Sequence, residues 1–149
     1  MVRRVNRQRD QRGATLVEFA FVLPVFVLFL FAIIDFGWLF TQFLGVKQSA
    51  REGARLAIVN DCGGAAGDSC RDAIVRKICA RGDGLSGATV ALRRVGDDAA
   101  EVSVSRDAVS LTGMMAVFID GRKLTSTVEM RREQNLQWSE TPTPPPSCP

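Results

Sequence analysis

Arg12-Gly13-Ala14-Thr15-Leu16-Val17-Glu18-Phe19 opens an apolar run that continues to Phe40. Five arginines (Arg3, Arg4, Arg7, Arg9 and Arg12) precede the run against one acid, Asp10, and residues 19–34 carry no charge. A basic head on an uncharged run is the pattern of a membrane helix. Residues 14–40 would extend about 40 Å at roughly 1.5 Å per residue, against a hydrocarbon core of about 30 Å, so the run crosses a bilayer with length to spare. Arginines directly before the first apolar run stay in the cytoplasm, which places the chain after Phe40 on the far side. A secretory signal has an apolar region of roughly 7 to 15 residues and then a small-residue cleavage site. This run is longer and passes into a helical pattern without such a site, so the whole segment is not expected to be lost.

Glu18 lies one turn into the run. A carboxylate at the centre of a span costs about 2.5 to 3.5 kcal/mol on insertion scales and is normally paired or functional. Either Glu18 is shallow enough to reach the cytoplasmic headgroups and Arg12, or it pairs with the α-ammonium that a cut between Gly13 and Ala14 would create. Pro24 removes a backbone donor and crowds the carbonyl of Ala20, so a kink or local loosening is expected there. Asp35 falls about 31 Å above Ala14 at roughly 1.5 Å per residue, near the outer headgroups, with Trp38 as an interfacial aromatic. There its charge is tolerated or meets a partner protein.

Four blocks in order carry a resemblance: Arg-Gly-Ala-Thr-Leu-Val-Glu-Phe-Ala from Arg12, Leu23-Pro24, Ile34-Asp35-Phe36-Gly37, and Ala50-Arg51-Glu52-Gly53-Ala54-Arg55. Over residues 12–58 the chain resembles the TadE-like pseudopilins of tight-adherence (Tad/Flp) pilus systems. The resemblance implies that a membrane-embedded aspartic prepilin peptidase removes the leader, residues 1–13. Gly13 is then the last leader residue, Ala14 the new terminus, and Glu18 with Phe19 the position of peptidase recognition or subunit alignment. Implied partners are that peptidase, other pilins or pseudopilins, the inner-membrane pilus assembly platform and membrane lipid. The implied function is a minor pseudopilin that assembles, primes or anchors a pilus. The alternative is an unprocessed single-pass envelope protein that assists secretion or envelope organisation.

Composition agrees with one span and one small domain. Removing the five leader arginines and Asp10 from nineteen basic and sixteen acidic residues leaves 14 against 15. The exported part therefore has no basic footprint for nucleic acid. Histidine is absent, which removes histidine-based nucleophilic catalysis and histidine metal ligation. No catalytic acid pair and no phosphate loop is recognisable, so neither an enzyme nor a cofactor is expected.

Beyond the span, residues 41–59 are expected to extend the helix. Phe36, Phe40, Phe43, Val46, Ala50, Ala54 and Ala57 recur at helical spacing as an apolar stripe, with Lys47, Arg51 and Arg55 on another face. Gly45, Ser49, Gly53 and Ala57 place small side chains four apart, and Gly37 lies further down. Such a groove admits another backbone, from a partner helix or from the protein's own sheet.

Residues 60–138 read as a small extracytoplasmic domain. The turn-rich stretch 60–70 ends the long helix, and Ser69 or Cys70 opens a shorter one, closed by Arg81-Gly82-Asp83-Gly84. Strands are expected at 88–95 and 99–106 around Gly96-Asp97-Asp98, with Val90, Leu92, Val102 and Val104 inward, and a third at 122–132. Residues 111–119, with Met114, Met115 and Phe118, are expected to cover the sheet as a short helix, or to form a contact surface. Cys62, Cys70, Cys79 and Cys148 favour disulfides outside the cytoplasm over zinc, because their spacing lacks close pairs. Cys62 with Cys70 and Cys79 with Cys148 is one pairing. Cys62 with Cys79 is another, leaving Cys70 for Cys148 or Cys148 free to capture another chain. The proline-rich end, 139–149, is expected to be a mobile tail. The expected fold is α+β: a long N-terminal membrane helix continuing into an extracytoplasmic amphipathic helix, packed with a short helix and a small antiparallel sheet of about three strands.

Overall fold

The computed structural model describes residues 8–81, 85–96, 99–131 and 135–149. Residues 1–7 of the basic leader, the close of the second helix at Gly82, Asp83 and Gly84, and the turn residues Asp97 and Asp98 lie outside the described residues. The fold is α+β. Its elements are α1 (Gln8–Ile58), α2 (Gly67–Arg81), β1 (Thr89–Val95), β2 (Ala99–Asp107), the single turn α3 (Ala116–Ile119) and β3 (Lys123–Arg131).

α1 has 51 residues and is therefore about 76 Å long at roughly 1.5 Å per residue. It is continuous across Pro24 and already helical at Gln8, six residues before Ala14. Its lower part is long and apolar enough to cross a membrane, and none of its most apolar window is buried within the molecule. Its upper part packs, burying Val46, Ala50, Ala54, Leu56 and Ala57. Asn60 ends it with a left-handed φ of 50°. The Asn60 amide then donates to Ala57 O at 3.4 Å and that of Asp61 to Leu56 O at 3.1 Å, the paired bonds of a Schellman cap.

The sheet is antiparallel in the order β1-β2-β3. Val90 stands opposite Val104 and Leu92 opposite Val102, and Val102 in turn faces Val128. These positions share one face of the pleat, which packs on α1 and α2 together with Ile74 and Ile78. On β3, Leu124, Ser126, Val128 and Met130 are half-buried while Lys123, Thr125, Thr127, Glu129 and Arg131 are exposed.

Four expectations are corrected. The helical stripe does not run through Phe36, Phe40 and Phe43, which are 61%, 61% and 38% exposed, but through Asp35 and Gln42. At about 100° per residue, Asp35 projects within about 20° of Val46, whereas Phe36 is about 80° away. Of the two expectations for residues 111–119, the one in which they cover the sheet is not met: only Ile119 is buried, and Leu111, Met114, Val117 and Phe118 face outward, in line with the exposed alternative. α2 starts at Gly67, whose amide donates to Gln137 O at 2.6 Å, rather than at Ser69 or Cys70.

The last correction is the C-terminal segment, which lies antiparallel along the free edge of β1. Thr141 N donates to Leu92 O at 3.0 Å, Val90 N to Pro146 O at 3.0 Å, and Cys148 N to Ala88 O at 2.7 Å. Proline has no amide hydrogen but keeps its carbonyl, so a proline-rich stretch still accepts bonds at a sheet edge.

Candidate functional site

The N-terminal segment of α1 presents its chemistry outward. Gly13, Ala14, Glu18, Phe19 and Pro24 are all exposed. Ala14 and Glu18 are four apart and share one helix face, so an α-ammonium at Ala14 would lie one turn from the Glu18 carboxylate. Among the described residues, no hydrogen bond or ion pair engages Glu18. A Cβ added at Gly13 or Gly37 would meet nothing within 4 Å. Glycine within a helix costs about 1 kcal/mol relative to alanine, and at these two positions no internal packing compensates it.

Asp35, expected near the outer headgroups or against a partner protein, has intramolecular partners that the sequence did not show. It is fully buried, and its partners belong to the same chain. Oδ1 accepts the amides of Leu111 at 3.0 Å and Thr112 at 2.8 Å; Oδ2 accepts the Thr112 hydroxyl at 2.7 Å and the Met115 amide at 3.2 Å. Two turns higher, the Gln42 carboxamide closes a reciprocal pair with Val109. Nε2 donates to its carbonyl at 2.8 Å, and Oε1 accepts its amide at 3.3 Å. Two polar side chains of α1 thus hold the β2–β3 connection down along the helix. Sequence reasoning missed this function of Gln42 and Thr112, and the signal was a pair of polar residues in phase with Val46.

Higher still, the small residues of α1 meet the domain itself. A Cβ at Gly53 would lie 2.8 Å from Ile78 Cδ1 and 3.0 Å from Val102 Cγ1, so this part of the groove is filled by α2 and β2. Ser49 is buried and Gly45 half-buried on the same side. Gln48, Arg51, Glu52, Arg55 and Met130 line an open surface depression of about 530 Å³ on another side.

The top of α1 is fastened from several directions. Cys62 pairs with Cys70 and Cys79 with Cys148, which decides among the three pairings. The Asn60 side chain donates to Asn135 O at 2.9 Å and accepts the Gln137 amide at 2.9 Å. Trp138 is fully buried and donates its indole N–H to Ala57 O at 2.9 Å, with the Arg94 guanidinium 5.6 Å from its ring centroid. Arg71 joins α2 to the C-terminal segment through Asp68, Ser139 and the Glu140 carbonyl. Asn60, Arg94 and Trp138 were not singled out from the sequence, because each acts on a carbonyl or ring far along the chain.

Residues 13–55 match the family model of the TadE-like protein. The matched stretch holds Gly13, Ala14, Glu18, Phe19, Pro24, Asp35, Gly37, Gly45, Ser49 and Gly53, and it leaves α2, the sheet and both disulfides outside. With the long apolar N-terminal helix, it supports a TadE-like assignment and a role related to Tad/Flp pilus components. The helix is consistent with a single membrane-spanning segment. No curated protein matches the chain significantly, and neither does any solved structure.

Proposed function

We propose that this protein is a minor pseudopilin of a Tad/Flp-type pilus. It is inserted in the inner membrane with the arginine leader in the cytoplasm, cut by a prepilin peptidase between Gly13 and Ala14, and then used to assemble, prime or anchor the pilus. The observation that carries the reading is the TadE-like match over 13–55, placed on a helix whose lower part is uncovered. An apolar helix surface of this length needs lipid or the helices of other pilins around it. Gly13 supports the same reading, because a helical glycine without a packing role suits a peptidase that requires close backbone approach. After cleavage, Glu18 sits one turn from the new α-ammonium and also faces the positive end of the helix dipole.

The test is Glu18→Ala in a pilus-producing cell. Membrane insertion should persist, since an apolar residue replaces a charge, while processing or assembly falls. Equal processing and equal piliation of variant and parent would reduce Glu18 to an interfacial charge and remove this part of the reading. One observation favours a second reading, an uncut envelope anchor: α1 runs unbroken through Gly13 and Ala14, so a peptidase has to open helical backbone there.

A further inference from the structure

We propose that the β2–β3 connection is a second membrane element, which inserts into the outer leaflet beside α1 and fixes the height of the sheet domain above the bilayer. The inference rests on the reading of α1 as a membrane span. Its occupant is phospholipid, at the boundary between headgroups and acyl chains.

Depth is the first argument. The uncharged run 19–34 has its midpoint next to Phe26, and a hydrocarbon core of about 30 Å centred there reaches about ten residues upward, past Asp35. Asp35 binds Leu111, Thr112 and Met115 directly, so these residues lie at the same level. The connection is therefore brought to the outer edge of the hydrocarbon.

Surface chemistry is the second. Leu111, Met114, Val117 and Phe118 are 57%, 54%, 91% and 63% exposed, and Phe36, Trp38 and Phe40, within five residues of Asp35 on α1, are exposed as well. Water at this place would face large apolar side chains on both elements, whereas an acyl chain meets them as it meets the helix below.

The backbone supplies the third. Irregular backbone at membrane depth has to satisfy its polar groups within the protein, since lipid offers no replacement for water. The amides of Leu111, Thr112 and Met115 go to Asp35 and that of Val109 to Gln42. Those of Ser110 and Met114 go to Asp120 Oδ1 and Thr112 Oγ1, and α3 closes on Gly113 and Met115 carbonyls. Most of the connection's amides are thus met within the protein, which lipid demands and water does not. On this view Asp35 is the acceptor that makes the loop compatible with lipid, and the loop is what makes a carboxylate compatible with that depth.

The experiment uses the full chain in phosphatidylcholine vesicles whose acyl chains are brominated at shallow or deep positions. Val117→Trp reports on the connection and Phe26→Trp on α1, each with Trp38→Phe so that the buried Trp138 is the only background. Val117 and Phe26 both face outward, so neither substitution disturbs the core. The expected result is blue-shifted Val117→Trp emission, quenched most by shallow bromines, alongside Phe26→Trp emission quenched by deep ones. Quenching of Phe26→Trp alone, with red-shifted emission from Val117→Trp, would overturn the insertion and leave the span intact. Blue-shifted but unquenched Val117→Trp emission would overturn lipid as the occupant and point to a second protein chain. If neither reporter is quenched, the span and this inference fall together.

Discussion

Removing the Cys79–Cys148 disulfide should cost more than removing Cys62–Cys70, and by an amount the loop lengths set. The two bridges close loops with sequence separations of 69 and 8. Loop-closure entropy gives about 4.4 kcal/mol for the first and about 2.5 kcal/mol for the second, a difference of about 2 kcal/mol. The comparison is between Cys79→Ser/Cys148→Ser and Cys62→Ser/Cys70→Ser, each as the full chain in detergent micelles, unfolded in urea and followed by near-ultraviolet circular dichroism of Trp138. At a slope of roughly 1 to 3 kcal/mol per molar urea, the midpoints should differ by about 0.6 to 2 M. The longer bridge also holds the C-terminal segment on β1, so its loss should speed hydrogen exchange at Val90, whose amide bonds Pro146 O. The shorter bridge should leave that amide protected. Equal midpoints, or unchanged exchange at Val90 in both variants, would refute the view that Cys148 fastens this segment to the sheet.

Gly53→Leu should lower the thermal transition, because even its Cβ would sit 2.8 Å from Ile78 and 3.0 Å from Val102; overpacking of this kind costs about 1 to 3 kcal/mol. Gly13→Ala is the control on the same helix: it meets nothing within 4 Å, should leave the transition unchanged or slightly raised, and should alter only processing. Asp35→Leu should release the β2–β3 connection, read as lost exchange protection at Leu111, Thr112 and Met115 while Val102 and Val104 keep theirs. Unchanged protection at those three amides would mean that the connection is held by its packing alone.

What was legible in the sequence was whatever repeats locally. The alternation of Val90 with Leu92 and of Val102 with Val104 placed the hairpin and its inward face, and the uncharged run 19–34 gave the lower helix. The turn chemistry after Ile58 placed the helix end, although not the Schellman cap at Asn60. What could not be read depends on partners far apart. Asp35 and Gln42 look like a headgroup charge and a solvent-facing amide until the β2–β3 connection, 67 to 80 residues later, supplies their donors and acceptors. Phe36, Phe40 and Phe43 pass for a core stripe because a spacing of three and four tolerates a drift that only a packed sheet resolves. The proline-rich end reads as unpaired because proline lacks a donor, yet the carbonyl of Pro146 and the amides of Thr141 and Cys148 suffice to cover an edge. The outward side chains of residues 111–118 have the composition of a core, and their depth beside α1 follows only from the grip of Asp35.

The most direct test of the pilus reading is the intact mass of the protein extracted from membranes of its native cells, with and without a functional prepilin peptidase. The account predicts a product that begins at Ala14 when the peptidase is active and a chain that retains the arginine leader when it is not. A product that keeps the leader in both cases would contradict it, leave α1 as a permanent anchor, and require another reason for Glu18 in the first turn of the apolar run.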